Sequence, residues 1–236
     1  MGPAPGVSYI VGSVPRSGST LLCELLAATG LAGNPAEFFS PYTIRVSMDR
    51  WGVETLDRYV HELFARETGS NGVFGAKVHW AQYEATFGNG DPRPLFPGLR
   101  WVYITRRDRL RQAVSWVRAQ QTGKFHAQDP ARAESPVFDH GRITQMLRRI
   151  AREEQLWEAL FEHHGFDPHR VVYEDLVADR EAAVRAVLAL LEVETPADLH
   201  IPQPGLERQA DLVSDEWVER YLAEAATSPG PAPGGA

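Results

Sequence analysis

The sequence predicts an α/β fold, a parallel sheet covered by helices on both faces as a three-layer α/β/α sandwich. Two observations carry this. Short β-branched and aromatic runs alternate along the chain with amphipathic helical segments, the order that parallel crossovers require. The first such run also leads directly into a small-residue loop and a helix, in Tyr9 to Leu22, YIVGSVPRSGSTLL. At 236 residues the chain suffices for one sizeable domain with a filled core. We read residues 1–227 as that domain and 228–236, SPGPAPGGA, as a tail with too little apolar surface to order itself.

The elements follow in order. Tyr9, Ile10 and Val11 form a buried strand, broken by Gly12, Ser13, Pro15, Ser17 and Gly18 before a helix resumes from Thr20 to Ala28. Gly30, Gly33 and Asn34-Pro35 open an irregular connection, and the stretch from Glu37 to Gly52 reads as a loop. Leu56, Tyr59, Val60, Leu63 and Phe64 share one face of a helix over Val53 to Glu67. Val73 to His79, VFGAKVH, is a second strand, Trp80 to Phe87 a short helix, and Leu99 to Thr105, LRWVYIT, a third strand. A helix from Arg109 to Gln121 ends at Gly123. After a polar connection, Asp139 to His164 repeats apolar residues at Ile143, Met146, Leu147, Ile150, Leu156, Trp157, Leu160 and Phe161, a core-facing stripe. A strand His169 to Tyr173 and a helix Arg180 to Leu191 follow; Thr195 to Gly205 runs over the surface, and Ser214 is placed as the N-cap of a last helix reaching Glu224.

Composition excludes several functions. The net charge of −7 opposes broad attraction to nucleic acid or anionic membrane, and no apolar run approaches the length that crosses a bilayer. MGPAPG offers neither a basic start nor an apolar core, so no signal peptide is expected. The single cysteine, Cys23, lies among leucines and cannot form an internal disulfide, which suits a cytoplasmic protein. Yet Arg100, Arg106, Arg107, Arg109, Arg111 and Arg118 crowd one strand–helix unit. A locally basic pocket in an acidic protein fits a small polyanion.

The loop after the first strand supplies the means to hold one. Loop amides and the first N–H groups of a helix lack internal partners and can bind phosphate oxygens, aided by the helix dipole. Arg16 adds a fixed charge, and Ser17, Ser19 and Thr20 add hydroxyls. A structural turn accounts for the glycines alone but needs neither an arginine nor three hydroxyls. The loop is not a Walker A sequence: five residues separate Gly12 from Gly18, and no lysine precedes the Ser/Thr. Elsewhere, Glu37 stands beside Phe38 and Phe39. It reads either as a solvated carboxylate next to two core anchors or as a partly desolvated one, raised in pKa and able to act as a general base. Lys77 and His79 alternate onto one side at the C-terminal end of their strand, where open α/β sheets bind ligands; His79 could equally serve the backbone. Arg107 at a strand end and Ser115 about two turns into the next helix can together hold a second phosphate.

Several separated stretches, PRSGSTLL, Glu37-Phe38-Phe39, GAKVHW, RRDRLRQAVSW with QTG, VVYEDL and RQADLVSDEW, resemble the bacterial trehalose 2-sulfotransferase-like family, over roughly Val7 to Ala223. Those enzymes use 3′-phosphoadenosine 5′-phosphosulfate (PAPS) and release the bisphosphate PAP. The resemblance implies the P-loop nucleotide hydrolase-like sulfotransferase fold and a homodimer. It implies that Pro15, Arg16, Ser17, Gly18, Ser19 and Thr20 hold the 5′-phosphosulfate, and that Arg107, or by one position Arg106, holds the 3′-phosphate with Ser115. Tyr173 resembles the aromatic near the adenine, and Arg208 with Gln209 a lid over the nucleotide. Glu37 matches the family's proposed general base. Lys77 and His79 resemble the Lys-x-His of animal cytosolic sulfotransferases, whose histidine is the base, so two candidates stand. No metal is implied, and no ligand cluster is visible. The expected reaction is sulfuryl transfer to a hydroxyl of a carbohydrate, glycolipid or secondary metabolite, by in-line attack. A P-loop-type small-molecule kinase and a non-catalytic nucleotide-binding protein are the alternatives.

Overall fold

Strand pairing sets the frame. In the computed structural model, which describes residues 5–125, 135–199, 201 and 212–227, four strands form one all-parallel sheet in the order β2-β1-β3-β4. They are β1 (Val7–Ser13), β2 (Val73–His79), β3 (Arg100–Thr105) and β4 (His169–Val172). Between them run α1 (Ser19–Ala28), α2 (Pro41–Trp51), α3 (Leu56–Glu67), α4 (Trp80–Phe87), α5 (Arg109–Thr122), α6 (His140–His164), α7 (Tyr173–Ala178), α8 (Arg180–Leu190) and α9 (Leu212–Thr227). The described residues group into two compact units, one from residues 1–107 and 153–205, the other from 108–152 and 206–236.

The sheet belongs to the first unit, and its two faces carry different cores. Alternation sends Tyr9 and Val11 of β1, Val73 of β2, Val102 and Ile104 of β3 and Val171 of β4 to one face. There they pack with Leu22, Leu25 and Leu26 of α1 and Val184, Val187 and Leu188 of α8. The opposite face is aromatic. Phe74 meets Phe64 of α3, and Trp101 and Tyr103 meet Trp157 and Phe161 of α6. Each such side chain contributes about 1.5–3 kcal/mol by leaving water. Runs buried on both faces read as continuous apolar stretches, which is why VFGAKVH and LRWVYIT were legible as strands.

Gly75 shows how close the layers come. It pairs with Tyr9 across the sheet, and a β-carbon there would sit 2.5 Å from the Tyr9 ring. Only a hydrogen admits the tyrosine, whose hydroxyl donates to the Ala32 carbonyl at 2.9 Å.

Three expectations are corrected. The stretch from Glu37 to Gly52 contains a helix, α2, with Ser40 as N-cap accepting from the Thr43 amide at 3.1 Å, Pro41 in the first turn and Gly52 closing it. It buries no residue, so no apolar periodicity announced it. β4 stops at Val172, and Tyr173 opens α7, where Glu174 and Asp175 favour a helix N-terminus. Ser214 is not an N-cap: α9 already runs at Leu212, and the Ser214 hydroxyl accepts from the Arg118 guanidinium within the second unit. The proposed tail and the segment with Arg208 and Gln209 lie outside the described residues, as do residues 126–134 of the polar connection.

Candidate active site

The C-terminal ends of β1 and β2 lie side by side, with Val11 opposite Lys77 and Ser13 opposite His79. Lys77, His79 and Glu37 gather at that edge.

The loop leaving β1 holds an unusual backbone. Arg16 adopts φ 67° and Gly18 φ 91°, both left-handed. A non-glycine residue there stores about 1–3 kcal/mol, typical of a backbone bent to serve a site. Gly18 is the N-cap of α1 and, having no side chain, gives the first-turn amides of Ser19 and Thr20 no cap hydrogen bond of its own. Ser17 is 1% exposed, and its Oγ has no hydrogen-bond partner among the described residues. A buried hydroxyl without an acceptor is costly unless a ligand completes it. A phosphate or sulfate group fits this loop.

Glu37 is delivered to the same edge by a single bridge. Ala36 pairs in parallel with Ala76 on the outer side of β2, and the Lys77 amide donates to the Ala36 carbonyl at 2.9 Å. Phe39, fully buried against Tyr59, Phe87 and Phe96, then anchors the chain. Phe39 is thus a core anchor and Phe38 is half-buried, while the neighbouring carboxylate is turned towards the charged ends of β2.

Those surroundings are dense. Lys77 Nζ donates to Glu37 Oε1 at 2.8 Å and to Thr20 Oγ1 of α1 at 3.0 Å. His79 Nε2 lies 3.5 Å from the same Glu37 oxygen, and its Nδ1 is 2.9 Å from Ser13 Oγ. Gln82 Nε2 donates to Glu37 Oε2 at 2.7 Å. The Ser13 carbonyl accepts from the Trp157 indole at 3.1 Å. The two candidate bases are thus one cluster, and Lys77 ties it to the anion loop. Ser13 and Gln82 escaped the sequence reading. Ser13 lay in register with His79, but that needs the strand pairing; Gln82 stands three residues after His79, the spacing of a capping box.

The expected rise in the Glu37 pKa is corrected. Burial does push it up, but the hydrogen bond and charge of His79, with the charge and hydrogen bond of Lys77, outweigh burial. They hold the carboxyl well below the usual carboxylate range.

The other predicted residues divide between the loop after β3, α5 and α7. Tyr173 presses its ring on Gly18, where a β-carbon would come within 2.3 Å of Tyr173 Cδ2. Arg106 lies over that ring at 4.7 Å from its centre and 3.9 Å from Glu174. Arg107 is exposed and paired with Asp175, while its amide donates to Glu174 at 3.0 Å. Ser115 sits within α5, in the second unit. A cavity of about 600 Å³ is lined by Ile44, Arg45, Met48 and Asp49 of α2 and by Ala85 and Thr86 of α4; none of the cluster around Glu37 lines it. Among the described residues no group of three or more His, Cys, Asp or Glu side chains could hold a metal, and no helix is long and apolar enough to cross a membrane.

A glycine-bearing loop at a helix N-terminus beside a carboxylate, lysine and histidine, all at one end of a parallel sheet, is the placement that group-transfer enzymes of open α/β folds use. The family model described as Stf0 sulphotransferase matches residues 8–224, and the chain belongs to that family. It is 34% identical to trehalose 2-sulfotransferase of Mycobacterium tuberculosis over 92% of this chain and 95% of that protein. It is 32% identical to trehalose 2-sulfotransferase of Mycolicibacterium smegmatis over the same shares. A solved sulfotransferase from Alicyclobacillus acidocaldarius is similar with a TM-score of 0.49 and 14% identity, over 94% of this chain and 92% of that one.

Proposed function

We propose that this sulfotransferase uses PAPS to sulfate a hydroxyl of a carbohydrate acceptor, with Glu37 taking the proton from that hydroxyl. The observation that carries the reading is Lys77, which joins the proton-accepting cluster to the anion loop through one ammonium group. When bound, PAPS supplies a sulfuryl group on a phosphate that departs as PAP.

Arg16, the Ser17 hydroxyl and the amides of Gly18, Ser19 and Thr20 hold the 5′ end of the donor, and their charge and dipoles stabilise the departing phosphate. Lys77 is shared between Glu37 and Thr20. An anion in the loop competes for that cation, and every step of Lys77 towards it leaves Glu37 Oε1 more basic. His79 flanks the same oxygen and is oriented by Ser13. Arg107 binds the 3′-phosphate, exchanging Asp175 for it. The cavity beside α2 receives the part of the acceptor remote from the reacting hydroxyl; Arg45 and Asp49 at its wall offer the charged hydrogen-bonding groups that sugar hydroxyls engage. A homodimer, as the resemblance implies, is part of this reading.

The test has two arms. Calorimetry of the purified chain with PAP shows binding, and labelled PAPS with trehalose or another disaccharide gives a labelled sulfated sugar. No heat with PAP ends the reading at the donor; PAP binding with no product from any carbohydrate ends it at the acceptor.

A further inference from the structure

The hydrogen bonds around α4 assign Gln82 a part in the reaction, as the positioning residue that holds Glu37. The inference rests on the reading of Glu37 as proton acceptor. Its force comes from an orientation that admits no choice. The Gln82 carbonyl, Oε1, accepts from the His79 backbone amide at 2.9 Å. That contact requires an oxygen, because an amide N–H cannot donate to an NH₂ group. The NH₂ end is therefore turned to Glu37, and it donates to Oε2 at 2.7 Å.

The consequence is an assignment of both carboxylate oxygens. Oε2 is occupied by Gln82, a neutral donor that carries no proton to exchange at ordinary pH. Oε1 faces Lys77 and His79 and is the oxygen left for chemistry. Since the His79 amide fixes Gln82, one side chain sets the carboxylate plane and ties it to the strand that bears the imidazole. Glu37 itself arrives on an irregular segment held to β2 by the single Ala36 bridge, so its rotamer needs such a support. The charged and titratable groups facing Glu37 are Lys77 and His79 from β2; the Cys23 thiol of α1 is held protonated by burial, and the Glu37 charge adds to that. The amide of Gln82 adds direction without adding charge.

Gln82→Glu separates this role from a structural one. A glutamate at this position still accepts from the His79 amide, as in an ordinary capping box, so α4 keeps its start. What changes is the group facing Glu37. Ionised, it repels the carboxylate and has no proton to donate; protonated, its O–H donates to Oε2 as the amide did. Two carboxylates in contact retain a proton to higher pH than either alone. The kcat of Gln82→Glu relative to wild type therefore rises as pH falls, by about tenfold between pH 8 and pH 5.5. Gln82→Met removes the donor at every pH, and its kcat ratio stays low, by about tenfold or more, and flat across the same range. PAP affinity stays within about twofold of wild type in both, since neither touches the anion loop.

A Gln82→Glu ratio that is flat with pH, or a Gln82→Met enzyme with wild-type kcat, overturns the inference. Glu37→Gln run alongside keeps the two readings apart. If Glu37→Gln loses activity while the Gln82 variants behave as wild type, only the positioning role fails. If Glu37→Gln is fully active, the reading of Glu37 fails and takes Gln82 with it.

Discussion

The ring of Tyr173 packs on Gly18, closer than any side chain at that glycine would permit. A β-carbon there would stand 2.3 Å from Tyr173 Cδ2. The tyrosine that opens α7 thereby packs on the loop between β1 and α1, and Arg106 lies over the same ring at 4.7 Å from its centre. Gly18 also sits at φ 91°, where a β-carbon costs about 1–2 kcal/mol on its own. Gly18→Ala is expected to weaken PAP binding by roughly tenfold or more, measured by calorimetry, and to lower the melting temperature. Part of the thermal loss comes from the ring and part from the backbone. Gly18→Ala made in a Tyr173→Ala background should therefore cost less than in wild type, by roughly 1 kcal/mol of coupling. Equal costs in the two backgrounds would remove the ring from the account.

The adjacent arginines stand in different surroundings. Arg106 is 13% exposed in its side chain and held by Tyr173 and Glu174, whereas Arg107 is 60% exposed and paired with Asp175. An exposed guanidinium can exchange a carboxylate for a phosphate with little rearrangement. Arg107→Ala should weaken PAP by roughly tenfold while leaving the affinity for inorganic sulfate or pyrophosphate at the anion loop unchanged. Arg106→Ala acts through Tyr173 and should weaken both. Should Arg106→Ala alone discriminate PAP from pyrophosphate, the two assignments are reversed.

How much of this was visible beforehand depends on where the information lies. β2 was read as Val73–His79 and found there, because a strand buried on both faces spells itself out in β-branched and aromatic residues. The loop from Pro15 to Thr20 stands out in the sequence because its arginine, glycine and hydroxyls are contiguous. α2 was missed because Ser40, Pro41 and Gly52 are its only marks and it buries nothing. Ser13 could not be paired with His79 until β1 was registered on β2. Gln82 belongs to the cluster through a contact 45 positions away, with Glu37. The sign of the Glu37 pKa shift is hidden from the sequence for the same reason. Neighbouring Phe38 and Phe39 are visible in sequence and suggest desolvation, whereas Lys77 and His79 arrive only through the Ala36 bridge.

Lys77 is 4% exposed, an ammonium group that the interior accepts because Glu37 and Thr20 receive it. Lys77→Met should reduce kcat by about 10²-fold and weaken PAP several-fold, since it removes both the loop's cation and the carboxylate's partner. The effects of Lys77→Met and Glu37→Gln on kcat should not add, because each dismantles the same ion pair. Strict additivity in the double variant would mean that the two act on separate steps.

Glu37 links activity to acid stability, with a definite sign. Its carboxyl is held below the ordinary range in the folded chain, against an ordinary value of about 4.3 when unfolded. The resulting stabilisation is complete above that unfolded value. It is lost as pH falls from there towards the folded value, because the unfolded chain takes up a proton that the folded chain refuses. Glu37→Gln removes this titration. Below about pH 4.5 its stability should fall less steeply with acid than that of wild type, by up to one proton, about 1.4 kcal/mol per pH unit. At neutral pH the same variant should be less stable, since Lys77 loses its partner, and its kcat should fall by about 10²–10⁴-fold with PAP affinity nearly intact. His79→Asn provides the contrast. It retains a hydrogen-bonding group near Ser13 but no imidazole, and is expected to lose less activity than Glu37→Gln. If His79→Asn instead gives the larger loss while Glu37→Gln remains active, the imidazole is the base, and Glu37 serves only to hold Lys77 and His79 in place.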